Sequence, residues 1–168
     1  MRQYVRCAKW LVRSGNLWIL LTFAAVTHNA AVGLAATAYA ECVDDAVVGA
    51  PTTLATPPAV RLSTGVTFVF RVEPVRNWQL LKVTMLLHVA GGPVPAAVDV
   101  GPAKPAATQD KGEGWFAVEL PLGVARKLVS EAGSRLTVRA RESSATIHTR
   151  ESHTYSPYLV IDGASSPK

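Results

Sequence analysis

Residues 66–73 read VTFVFRVE, and this alternation constrains the fold more than any other feature of the chain. Successive side chains of an extended backbone point to opposite faces. Val66, Phe68, Phe70 and Val72 therefore share one face, and Thr67, Val69, Arg71 and Glu73 share the other. A half-buried strand satisfies that pattern, and Pro74 ends it. The same period recurs in WFAVELP, residues 115–121, where Phe116, Val118 and Leu120 form the apolar face. It recurs again in RLTVRARE, residues 135–142, with Leu136, Val138 and Ala140 inward. WQLLKVTMLLHV, residues 78–89, has a uniformly apolar odd-numbered face from Leu81 to Val89, with His88 on the even-numbered face. Its leucines and methionine also suit a helix, but its neighbours favour a central strand. AVRLS (59–63), VPAAVDV (94–100) and SPYLVID (156–162) add shorter strands, and SATIHTRESHTY (144–155), after RLTVRARE, suggests a hairpin.

The period changes once. Between Leu122 and Ala132, Val124, Leu128, Val129 and Ala132 fall on one helical face, and Gly133 follows where a helix end is often closed. One short helix is predicted there, connecting two strands. Gly101 to Gly114 is polar and restricted by Pro102 and Pro105, so it predicts a long loop and a candidate binding surface. Six to eight short strands separated by turn signals predict an all-β domain, an antiparallel immunoglobulin-like β-sandwich over residues 59–162. A flexible lead-in (41–58) and a disordered tail (163–168) flank it.

The first forty residues have a different character. Arg2, Arg6, Lys9 and Arg13 precede the apolar run LWILLTFAAVT, and no acidic residue occurs before Glu41. A positive stretch followed by an apolar one predicts an export segment, residues 1–40, with small residues for cleavage at Ala38-Tyr39-Ala40 or at Ala36-Thr37-Ala38. Leu17–Ala40 is also long enough for an uncleaved anchor, which would be the protein's one contact with a membrane. The predicted destination is periplasmic or extracellular.

Taking those four basic residues from the 17 in the chain leaves 13 against 12 acidic ones, so the domain itself is almost neutral. A nucleic-acid partner is disfavoured, because the basic footprint belongs to the export segment. Arg135, Arg139 and Arg141 form a row on one strand face, which reads as a solvated surface with weak ion pairs. Cys7 leaves with the export segment, so Cys42 is expected as a free thiol without an intramolecular partner.

No nucleophile elbow, zinc-protease helix, P-loop or dinucleotide fingerprint is present, and neither an enzyme nor a bound cofactor is expected. The expected function is non-catalytic binding of another envelope or extracellular protein through loops and sheet edges. The alternative is a small copper- or zinc-handling module. For it, His148 and His153 are the candidate metal ligands: a two-residue turn at Arg150-Glu151 would set the two imidazoles opposite each other across a hairpin. His88 is expected as a half-buried strand residue, and Trp78 and Trp115 as core or rim packing.

Overall fold

The computed structural model describes residues 35–51, 56–72, 78–131 and 134–165. Ten strands occur in it. They are β1 (Ala35–Val47), β2 (Ala59–Arg61), β3 (Val66–Phe70), β4 (Trp78–Gly91), β5 (Ala97–Val100), β6 (Ala106–Gly112), β7 (Trp115–Glu119), β8 (Arg135–Arg139), β9 (Thr146–His148) and β10 (Tyr158–Ser165). One helix, α1 (Leu122–Ser130), links β7 to β8, and a 3-10 turn at Arg150–Ser152 follows β9.

The expected immunoglobulin-like sandwich does not occur. Eight strands close on themselves in the order β10-β1-β3-β8-β5-β6-β7-β4, because β4 pairs with β10 as well as with β7. Every neighbouring pair is antiparallel. The result is a closed barrel, with β9 and β2 added outside it along β4. Alternation alone specifies strands with one buried face. Whether those faces meet as two sheets or as one closed sheet depends on long-range pairing, and here β10 inserts between β1 and β4.

The strand that permits closure is one the sequence hides. β1 puts Ala36, Ala38, Ala40 and Cys42 on its inner side and Thr37, Tyr39 and Glu41 outside. Its period of two is written in alanines, which carry little hydrophobic signal. It crosses the expected Ala40-Glu41 boundary, pairing Ala35–Glu41 with Ala164–Tyr158 of β10 and then Cys42–Val47 with β3. The stretch expected as a loose lead-in therefore holds the second half of a barrel strand. Residues 1–34 of the expected export segment lie outside the described residues, as does Gly133. Among the described residues no helix is long and apolar enough to cross a membrane.

The expected 101–114 loop is largely β6, a strand of mostly exposed side chains (AATQDKG) joined to β7 by the two-residue turn Glu113-Gly114. Both turn residues have positive φ, 51° and 80°, the geometry that matches strand twist in a tight hairpin.

The barrel interior is filled by side chains, as in other small barrels. Phe68, Met85, Leu87, Val98, Val100, Phe116, Val118, Val138 and Leu159 are all within 1% of complete burial. Ile147 of β9, Val60 of β2 and Ala125 and Leu128 of α1 join the same apolar cluster. With the interior occupied, the outer surface is what remains for recognition.

Candidate functional site

Residues that alternate with the interior ones face outward, and on one side of the barrel these are aromatic. Ala40, Leu159, Leu87 and Phe116 point in. Tyr39 of β1, Tyr158 of β10, His88 of β4 and Trp115 of β7 are the outward positions beside them. Register brings them together, since Tyr158 lies opposite Leu86, and His88 opposite Trp115. Ring centroids of Tyr39 and Tyr158 are 6.5 Å apart, and those of Tyr158 and Trp115 are 5.5 Å apart in an edge-to-face arrangement. Trp115 lies edge-to-face on His88 at 5.0 Å. Tyr39 is 72% exposed and Tyr155 39%, while the rings between them are half-buried.

Tyr155 reaches this row from the segment after β9. Thr149, fully buried, donates its hydroxyl to the Pro57 carbonyl at 2.6 Å, and its backbone N–H donates to the Pro58 carbonyl. Asp45 of β1 accepts the backbone N–H of Arg150 at 2.6 Å, and Arg150 Nη1 donates to the Val43 carbonyl. After the 3-10 turn, His153 takes φ 54° and ψ −64°, and the Thr154 N–H donates to the Ser152 carbonyl across it. This is a γ-turn of the rare, strained hand. It delivers Tyr155 onto His88, with the two rings stacked at 4.0 Å. Glu113 and His153 are the two non-glycine residues with positive φ among the described residues. Both border this row; Glu113 takes the φ its hairpin turn requires, whereas His153 holds a strained conformation of the kind that persists only where surrounding structure fixes it.

His88 is pinned from its other side. Its Nε2 lies 2.9 Å from the Glu113 carbonyl in the β6–β7 turn. A carbonyl only accepts, so Nε2 is the donor in this bond, and Nδ1 is the ring nitrogen left outside it. Gly114 allows this approach, because a Cβ there would stand 2.9 Å from His88 Nε2. His148 follows at a ring-centroid distance of 5.2 Å from His88 and 4.9 Å from Tyr155. The Nδ1 atoms of both histidines are buried and have no hydrogen-bond partner.

The structure thus brings His148 to His88 rather than to His153. β9 ends at His148 and pairs with β2, Ala59 opposite His148, so no hairpin forms at Arg150-Glu151. His153 is exposed and lines a surface depression of about 510 Å³ with Cys42 and Arg150 and with Tyr39 and Tyr158 of the row. Cys42 is a buried free thiol whose pKa is pushed up to about 12, first by burial and then by Asp45, so it is neither a nucleophile nor a ready metal ligand. No group of three or more His, Cys, Asp or Glu side chains is placed to hold a metal ion among the described residues. The sequence allows His88 as a further donor only if its strand lies beside that of His148, and the β4–β9 pairing places it there; Tyr155 escapes a reading of the sequence, because no glycine or asparagine marks the turn that delivers it.

Burial, followed by the nearby His88, lowers the His148 pKa below its ordinary 6.5, and the Pro58 carbonyl partly offsets this. The sign for stability follows by linkage. As pH falls below about 6.5 the unfolded chain takes up the proton before the folded one does. His148 therefore costs no stability above that pH, and stability is lost on acidification until the folded imidazole also protonates. Thermal melts of the metal-free protein between neutral and mildly acidic pH should show this loss, and His148→Gln should reduce it. An unchanged pH dependence in the variant would assign the loss to other groups.

The sequence matches no known protein-family model and no curated protein.

Proposed function

We propose that this protein is a non-catalytic binding module, exported to the periplasmic or extracellular space, that engages another protein through the outer aromatic row. The observation that carries the proposal is that row itself: Tyr39, Tyr158, Trp115 and Tyr155 run across one side of a barrel whose interior is already filled. Tyrosine and tryptophan dominate the energetics of protein interfaces, since each buries a large area at little conformational cost and retains a polar group for the rim. The rings are tilted to one another by 45° to 67° along the row, which suits the relief of a protein surface better than one flat ligand. The basic and then apolar N-terminus supports export.

Capture from an envelope fraction tests this reading. The parent should retain a discrete protein that a Tyr39→Ser/Tyr155→Ser variant loses, while Leu81→Ser, altering an exposed leucine outside the row, retains it. Equal capture by all three, or background alone, contradicts the proposal.

A further inference from the structure

We propose that His88 and His148 together hold one borderline divalent transition-metal ion, copper(II) or zinc, through their Nδ1 atoms. The inference is independent of the protein-binding reading, since it rests on two imidazoles rather than on the exposed tyrosines.

Three observations support it. The Glu113 carbonyl fixes the proton of His88 on Nε2, which is how metal-binding histidines are commonly oriented: the outer nitrogen donates to a carbonyl and the inner one is left as ligand. Both Nδ1 atoms are buried without a partner, a costly arrangement that a ligated ion would relieve. The spacing also fits. Two imidazoles each about 2.1 Å from one ion, at a tetrahedral angle, have ring centres roughly 5 Å apart, and these are 5.2 Å apart. Neutral nitrogen donors without a carboxylate favour copper and zinc over magnesium or calcium, and copper(II) should bind more tightly than zinc. Tyr155, stacked on His88, screens one face of that ring from solvent.

Calorimetric titration of the full chain with Cu²⁺ or Zn²⁺ at neutral pH should show one ion per chain, with copper the tighter. His88→Ala and His148→Ala should each weaken binding at least about tenfold, whereas His28→Ala and His153→Ala should leave it unchanged. Because loss of His148 could disturb β9, imidazole ¹⁵N spectra of the parent give a second readout. Zn²⁺ should shift Nδ1 of His88 and of His148 and leave His153 in place. Absence of binding, shifts confined to His153 or His28, or full affinity in both the His88 and His148 variants would overturn the proposal.

Discussion

A chain that begins at Glu41 is expected to lose its cooperative unfolding transition, whereas one that begins at Ala35 keeps it. Ala35–Ala40 form the seam with β10, and without them Leu159–Ala164 have no partner on that side. Ala40 is almost fully buried, and Ala38 packs against the core beside it. Their loss uncovers an apolar edge next to Leu159 and Ile161, which are now within 2% of complete burial. A ladder bond contributes on the order of 1 kcal/mol net, so several of them, with the exposed apolar surface, approach the whole stability of a small domain at about 5–15 kcal/mol. Thermal and urea unfolding of the two truncated chains decides the matter. Matching transitions would mean that the seam contributes nothing. The prediction also bears on processing, because cleavage after Ala38 or Ala40 would divide β1, whereas cleavage before Ala35 would leave the barrel whole.

Phe116→Ala is expected to destabilise the protein by about 3–5 kcal/mol. Phe116 is completely buried on β7, inward from the Trp115 position. Truncating it removes a large apolar side chain and leaves a void that neighbours on a closed sheet cannot readily collapse to fill. The expected fall in Tm is on the order of 10 °C or more. Trp115, one residue away but on the outer face, provides the comparison. Its replacement should cost less stability and should act on recognition. A Phe116→Ala protein as stable as the parent would contradict a filled interior.

These effects indicate what was legible in the sequence. β3, β7, β8 and the centre of β4 were readable because Phe68, Phe70, Phe116, Val118, Leu136, Val138, Met85 and Leu87 repeat at a period of two and enter the core. Helix α1 was readable from the change of period after Pro121, and Leu128 is indeed buried. β1 was not, since alanines line its inner face. β6 was not, since almost all of its side chains stay in water and no apolar period exists to detect. Closure was hidden for a different reason: local alternation determines which face is buried but not which strand lies alongside. His148 was singled out by its spacing from His153, yet the imidazole that lies beside it is that of His88, some sixty positions earlier and adjacent only through β4 and β9. The γ-turn at His153, which brings in Tyr155, follows directly on a segment held by the Asp45 and Thr149 hydrogen bonds.

The account depends most on closure of the barrel by β1 and β10, because closure fills the interior and places the aromatic row on the outside. Amide hydrogen exchange resolved by residue measures it directly. Across Ala35–Glu41, the amides directed at β10 should exchange as slowly as those of Leu159 and Ile161. Exchange there at the rate of an unstructured chain, with β3 and β8 still protected, would contradict the closed barrel.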